Sequence, residues 1–401
     1  MIPRIKKMKI AVVRKYFTPY GGGEQYLFRL VQKLAEKGHE IHIFANHWPT
    51  NCTLKNNILL HPVPAVKMAS FLEALSFAFF SFRQLRREQF DVIHSFERTL
   101  HQDIYRAGDG CHREWLVQRK KIDPWVKRLF HPLNPLHRTL LFLEKCLFRS
   151  PRLRLIIANS QRGKEEIIRH YGVDASKIRV IYNGVDLHRF NPENRARYRQ
   201  PMREELGVRE RDAVLLFIGS GFRRKGLPFI LKSLPFLERG DVKLLVIGRD
   251  DPAPYAKMAR KLKVAEQVLF LGPRTDVKKI YAAADIFVLP SVYEPFSNAC
   301  AEALASGLPV ITTRMNGVAE LISPEENGYI VEDPTEISEM VDILKKALEN
   351  WSGWESERKV RRPMPVMDLE SNVREMIQIY EEVSALQNQS LYLGDKSKLG
   401  K

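Results

Sequence analysis

The segment Glu294-Pro295-Phe296-Ser297-Asn298-Ala299-Cys300-Ala301-Glu302-Ala303-Leu304 carries two carboxylates eight residues apart, the second within a run of helical spacing. Eight residues are about two helical turns, so the spacing predicts Glu302 deeper along the face that Glu294 begins. A carboxylate accepts hydrogen bonds from vicinal hydroxyls, and two of them suit a sugar and a ribose. Between them, the amides of Ser297, Asn298 and Ala299 crown the start of a helix and suit a diphosphate. The plainer reading is an acidic first turn followed by a surface glutamate. Glu302 stands among Ala301, Ala303 and Leu304, where a merely solvated glutamate is less expected.

A second group is Gly219-Ser220-Gly221-Phe222-Arg223-Arg224-Lys225-Gly226, directly after the apolar run Ala213–Gly219. Arginine grips phosphate oxygens in a fork and lysine adds a point charge. A solvated basic loop is the alternative. The place of the cluster, at the carboxyl edge of a predicted sheet, favours phosphate. Gly21-Gly22-Gly23 stands in the matching position after the first strand, where glycine lets backbone amides approach a ligand. A ligand-free strand-to-helix turn explains it equally well. Asp109, in Ala107-Gly108-Asp109-Gly110, ends a predicted strand over Gln102–Cys111. It is either an acid that orients or deprotonates an acceptor hydroxyl, or a turn-forming residue before glycine.

Other chemistries lack a starting point. There is no D-x-D pair to hold a metal, no P-loop and no G-x-S-x-G elbow. The eleven histidines are scattered, without recognisable ligand spacing, and no metal is expected. Cys52, Cys111, Cys146 and Cys300 lie far apart, which argues against a disulfide scaffold and for a reducing compartment.

The elements that must position these residues alternate. Apolar runs at Met8–Val13, Glu40–Ala45, Asp91–His94, Leu153–Asn159 and Ile178–Tyr182 read as strands separated by helical patterns. The same alternation returns with Ala213–Gly219, Val242–Gly248, Val268–Leu271, Ile286–Pro290 and Pro309–Thr312. Short apolar runs alternating with helices predict parallel, doubly wound α/β sheets. The 401 residues suit two domains, 1–185 and 186–367, opening with a polar linker over Asp186–Arg211 and facing each other across a cleft. A C-terminal helix over 368–386 is expected to pack back on the first domain, ahead of a flexible tail at 387–401.

The chain has 64 Lys+Arg against 47 Asp+Glu, a formal charge of +17, with 44% hydrophobic residues. That composition excludes a wholly disordered protein and calls for an anionic partner. Residues 113–154 hold eleven Lys/Arg against three acids, interleaved with Trp115, Trp125, Phe130, Phe142 and Phe148. Cations for headgroups and aromatics for the acyl boundary are what an interfacial segment needs. A solvated basic face on a helical subdomain is the alternative, and no motif supports nucleic-acid binding. No run reaches the roughly 20 apolar residues of a membrane span. The N-terminal apolar run is too short for a signal peptide, so the expected location is cytoplasmic, at the inner face of the membrane.

Taken together, Tyr20-Gly21-Gly22-Gly23-Glu24, Tyr182-Asn183-Gly184-Val185-Asp186, Arg224-Lys225-Gly226, the Glu294 and Glu302 pair, and Glu302-Ala303-Leu304-Ala305-Ser306-Gly307-Leu308-Pro309-Val310 resemble the family 4 retaining glycosyltransferases of GT-B fold. Lys15-Tyr16-Phe17, Phe222–Gly226 and Asp103–Cys111 look most like the lipopolysaccharide core glucosyltransferases, which are peripheral membrane enzymes. The resemblance implies a hexosyltransferase that uses a UDP-sugar as donor substrate, with no cofactor, and a glycolipid or polysaccharide acceptor. It implies that Arg224 and Lys225 bind the donor diphosphate, Glu294 the donor sugar and Glu302 the ribose. Phe296, Ser297, Asn298 and Ala299 fall in the same donor site, and Gly22 and Gly23 face the donor phosphates or the acceptor. Asp109 stands where relatives place a cleft His or Asp. The catalytic set would be Asp109, Lys225 and Glu294. This chain departs from the pattern at Ser220, where many relatives carry Arg, and its Pro295-Phe296-Ser297 is nearer the wider family than the core glucosyltransferases. Other envelope acceptors, or a GT-B-fold UDP-sugar epimerase or hydrolase, are the alternatives.

Overall fold

The computed structural model describes residues 7–18, 22–48, 55–350 and 368–396. The chain divides into two units. One comprises the described residues up to Leu116, Pro124–Asn183 and the segment from Glu370, and the other Val117–Asp123 and Gly184–Leu369.

The first unit is built on a seven-stranded parallel sheet of order β3-β2-β1-β4-β5-β6-β7. Its strands are β1 (Lys9–Val13), β2 (Glu40–Ala45), β3 (Ile58–Pro62), β4 (Val92–Ser95), β5 (Ile104–Arg106), β6 (Leu155–Ala158) and β7 (Ile178–Val180). The helices are α1 (Gly22–Glu36), α2 (Ser70–Leu85), α3 (His112–Arg119, which runs into the second unit), α4 (Trp125–Phe130), α5 (Pro135–Phe148) and α6 (Gln161–Tyr171). The central strands are near-continuous apolar runs because helices cover both faces of such a sheet. Ile10, Val12, Ile43, Val92 and Ile156 are all buried.

The second unit carries a six-stranded parallel sheet of order β10-β9-β8-β11-β12-β13. Its strands are β8 (Ala213–Ile218), β9 (Val242–Ile247), β10 (Val268–Gly272), β11 (Ile286–Leu289), β12 (Val310–Thr313) and β13 (Gly328–Val331). Around them lie α7 (Asn194–Glu205), α8 (Leu227–Ser233), α9 (Ala253–Lys261), α10 (Val277–Ala283), α11 (Asn298–Ala305) and α12 (Ile337–Glu349). In both sheets the strand order reverses once, beside β1 and β4 in the first and beside β8 and β11 in the second. Open α/β sheets bind ligands outside the carboxyl ends of the strands at such a switch point.

Two expectations are corrected. The stretch Asp186–Arg211 is not a linker, since it contains the helix α7 and lies within the second unit. What it buries is charge. Arg195, Arg199 and Arg203, one per turn, reach Asp285 at 3.2, 2.9 and 2.6 Å. Asp285, fully buried, also accepts the Val214 amide of β8 at 2.8 Å. The tail expected from residue 387 is likewise helical as far as Lys396, in α13 (Leu369–Lys396), and 397–401 lie outside the described residues. α13 belongs to the first unit. Val373, Met376, Ile379 and Tyr380 are buried, and Asn372 accepts from the Tyr26 hydroxyl and donates to Tyr182 O, both at 2.6 Å.

The basic segment forms most of α3, with α4 and α5. Asn134 caps α5 by accepting the Leu136 amide at 2.9 Å, and Pro135 fills the first helical position. Trp125, Leu133 and Phe142 are 71%, 66% and 56% exposed. Among the described residues, no helix is long and apolar enough to cross a membrane.

Candidate active site

The switch point of the second sheet brings together Arg224, Lys225 and Glu294, three of the residues that the sequence singles out. β8 ends at Ile218, and the chain turns through Gly219–Gly226 before entering α8. Asp250, just past β9, pins this loop by accepting the amides of Gly221 and Phe222, each at 2.7 Å. Glycine is required at two places in it. A Cβ on Gly219 would lie 2.5 Å from the Lys225 side chain, so the missing side chain lets Lys225 fold back over the strand end. Gly226, with φ +87°, has the Pro290 carbonyl oxygen 2.0 Å from where a Cβ would sit. Gly226→Ala should therefore cost about 1–3 kcal/mol through backbone strain alone. It should also push the loop off Pro290, lowering both the melting temperature and the donor affinity in a titration.

Across the switch point, β11 leads through Pro290–Tyr293 to Glu294. The backbone of Glu294 is fixed by its amide to Met315 O and by the Gly317 amide to its carbonyl, both at 3.0 Å. Its carboxylate takes Arg224 Nη1 at 2.8 Å and Lys225 Nζ at 3.3 Å. Burial alone would raise the Glu294 carboxyl, but Lys225 and then Arg224 outweigh it and hold the pKa below the ordinary glutamate value. The group is an anion held between two cations. Arg224 is oriented further by donating to the Tyr293 carbonyl at 2.9 Å. Arg223, the third cation of the loop, turns elsewhere, to Asp123 at 3.3 Å. Arg224 and Lys225 are thus the two cations of the loop that meet Glu294.

Glu294 precedes α11 rather than lying on it, so the two-turn argument does not place it on one helix face with Glu302. Glu302 sits mid-helix and accepts the Tyr281 hydroxyl at 3.2 Å; the same hydroxyl donates to Ala299 O at 3.0 Å. Burial, then Glu302, holds Tyr281 well above the usual phenol range, so it remains a donor. Ser297 caps α11 by accepting the Cys300 amide at 3.2 Å, and its own amide donates to Asn316 Oδ1 at 3.2 Å. That amide is committed to the fold. Phe296 is buried beside it, and Asn298 and Ala299 open the helix.

In the first unit, Gly22 and Gly23 are the first two residues of α1, while Tyr20 and Gly21 lie outside the described residues. Asp109 follows β5 and meets Arg14 Nη1 at 3.1 Å. Arg14, directly after β1, also holds Glu24 at 2.7 Å and Glu97 at 3.6 Å, and donates to Phe96 O at 2.8 Å. Desolvation would raise the Asp109 carboxyl, but Arg14 and Arg98 bring its pKa below the ordinary aspartate value. An ionised, arginine-bound carboxylate is suited to orienting a hydroxyl and is a weak base for deprotonating one. Sequence reasoning missed Arg14, Glu97 and Asp250. The available signal was their position, each within three residues beyond a strand's carboxyl end.

Residues 20–189 match the family model for Glycosyltransferase Family 4, and residues 199–362 the model for Glycosyl transferases group 1. The lipopolysaccharide glucosyltransferase WaaG of Escherichia coli (strain K12) is 26% identical over 337 residues, covering 83% of this chain and 87% of that protein. The D-inositol 3-phosphate glycosyltransferase of Corynebacterium glutamicum (strain R) is 30% identical over 371 residues, 81% of this chain and 85% of the relative. Among solved structures, that of WaaG superimposes with a TM-score of 0.80 at 23% identity, covering 92% of this chain and 99% of the other. Anabaena Alr3699/HepE, solved with UDP-glucose, superimposes with a TM-score of 0.71 at 19% identity, covering 94% and 100%. The two parallel-sheet units are those of a GT-B fold, and the chain belongs to the family 4 glycosyltransferases. It is a glycosyltransferase.

Proposed function

We propose that the protein transfers a hexose, glucose in the first instance, from a UDP-sugar to a membrane-borne glycolipid of the lipopolysaccharide-core type, with retention at the anomeric carbon and no metal. The observation that carries this reading is the Arg224, Lys225 and Glu294 cluster at the switch point of the second sheet. Two cations there match the charge that a departing nucleoside diphosphate gains, and stabilising developing charge is the largest single contribution in most enzymes. An ionised Glu294 beside them accepts hydrogen bonds from donor-sugar hydroxyls, and Glu302 is the candidate for the ribose. With no D-x-D pair in the sequence, Arg224 and Lys225 take the role of neutralising the leaving group. The leaving phosphate oxygen then takes the proton of the acceptor hydroxyl on the same face.

Likeness to WaaG over most of the chain, and UDP-glucose in the related Anabaena structure, support the choice of donor and acceptor. The exposed Trp125, Leu133 and Phe142 in a segment rich in Lys and Arg support delivery of the acceptor at an anionic membrane, from the cytoplasmic face. The test uses vesicles holding truncated lipopolysaccharide and radiolabelled UDP-glucose. The reading predicts labelled lipid with retained configuration, and sedimentation of the protein with anionic but not neutral vesicles, weakened by Trp125→Ser with Phe142→Ser. Hydrolysis or epimerisation of the donor at the same rate without acceptor would contradict it.

A further inference from the structure

At the β3 edge of the first sheet, separated from β5 and Asp109 by β1 and β4, three potential metal ligands converge. They are His42 on β2, His61 on β3 and Glu88 in the turn between α2 and β4, with one ligand atom from each within 4.8 Å of the others. His42 Nδ1 faces His61 Nε2 at 2.8 Å and Glu88 Oε2 at 4.0 Å. Nothing in the sugar-transfer reading uses these groups, and the alternating sequence gives them no recognisable ligand spacing.

The surroundings prepare the histidines for a cation. Glu40 Oε1 lies 2.9 Å from His42 Nε2. A carboxylate only accepts, so it takes the N–H of the neutral ring there, which leaves the lone pair on Nδ1 pointing at His61 and Glu88. A carboxylate behind a ligating histidine is the usual second layer of a zinc site. The His61 ring is held between neighbours, stacked on Phe44 at 4.5 Å and on His42 at 4.9 Å between centroids. His42 is buried and Glu88 partly exposed, which leaves one side open to water.

We propose that His42 Nδ1, His61 Nε2 and Glu88 Oε2 bind a zinc-like divalent cation, with water as the fourth ligand. Ligand atoms about 2.0–2.2 Å from tetrahedral zinc stand roughly 3.4 Å from each other. The present separations of 2.8 and 4.0 Å bracket that value, so the site forms by small side-chain rotations. His61 moves its ring proton from Nε2 to Nδ1 as the metal replaces the shared hydrogen bond, with no net release of protons. The resident competitor is Lys9, which pairs with Glu88 through Oε1. The metal would tie edge strand β3 to β2 and to the turn before β4.

Chelator-treated protein is titrated with Zn2+ alone, with uptake measured by equilibrium dialysis and stability by thermal unfolding. Co2+ serves as the spectroscopic probe. The expected result is one equivalent bound, a raised melting temperature, and the visible bands of four-coordinate Co2+. His61→Gln and Glu88→Gln should each abolish the bands and the stabilisation, whereas Lys9→Met should tighten binding. Glu88 is partly exposed, so its variant keeps the test open should His61→Gln misfold. No uptake by the wild type, or uptake and bands unchanged in Glu88→Gln, would overturn the proposal.

Discussion

Lys225→Ala lowers the rate of sugar transfer about a hundred- to a thousand-fold while the protein stays folded. The magnitude is that of removing one preorganised charge from a developing anion. On the proposed mechanism, three features suit Lys225 to that role. Its stem lies over the vacant side of Gly219, its ammonium is 3.3 Å from Glu294, and its side chain is 13% exposed, which keeps competing water low. The fold survives because Glu294 keeps Arg224 at 2.8 Å, so no buried carboxylate is left unpaired. The loss should fall on kcat more than on KM, because the lysine is needed most when the diphosphate departs. Initial rates with UDP-glucose, alongside the melting temperature, give the result. Near-normal turnover would remove Lys225 from the mechanism.

Asp285→Ala has the largest expected effect on stability, about 3–5 kcal/mol, the usual result of removing one partner from a buried ion pair. Three arginines of α7 converge on this one carboxylate, and Arg203 is itself 2% exposed. With alanine there, Arg203 keeps the carbonyls of Ala283, Arg209, Glu210 and Asp212 but loses its counter-charge. The Val214 amide loses its acceptor as well. Denaturant unfolding of the variant would show the loss. A change below about 1 kcal/mol would mean that the carbonyls alone satisfy the arginines.

The sheets were legible for a physical reason. Parallel strands covered on both faces must be apolar throughout, so VLLFI in β8 or IFVL in β11 stands out. β3 and β13 did not stand out. β3 is an edge strand with only Ile58 buried, ending in His-Pro, and β13 begins at Gly328, whose absent Cβ lets it approach Val310 O. α7 was hidden because its periodicity is written in arginine rather than leucine, with Pro201 inside the helix, and composition alone makes that a linker. Within the site, residue type and loop position pointed to the cations Arg223, Arg224 and Lys225 and to Glu294, the family resemblance singled out Arg224 and Lys225, and the structure sets these two against Glu294. Their partners were less visible. Asp250 works by accepting two amides, Asn316 by accepting one from Ser297, and Arg14 by joining three acids distant in sequence; a linear pattern records none of these.

Binding of UDP-glucose, followed by the thermal shift of the wild type and of Glu302→Gln, tests the donor site most directly. Glutamine keeps an acceptor for the Tyr281 hydroxyl, so the variant should fold, and only the charge proposed to face the ribose is lost. A ligand bound by the folded state alone raises the melting temperature by mass action. The account predicts a rise for the wild type with UDP-glucose, a smaller one with ADP- or GDP-glucose, and little or none in the variant. An equal rise in both proteins would place the nucleotide elsewhere, and no rise with any nucleotide sugar would contradict a donor site at Arg224, Lys225 and Glu294.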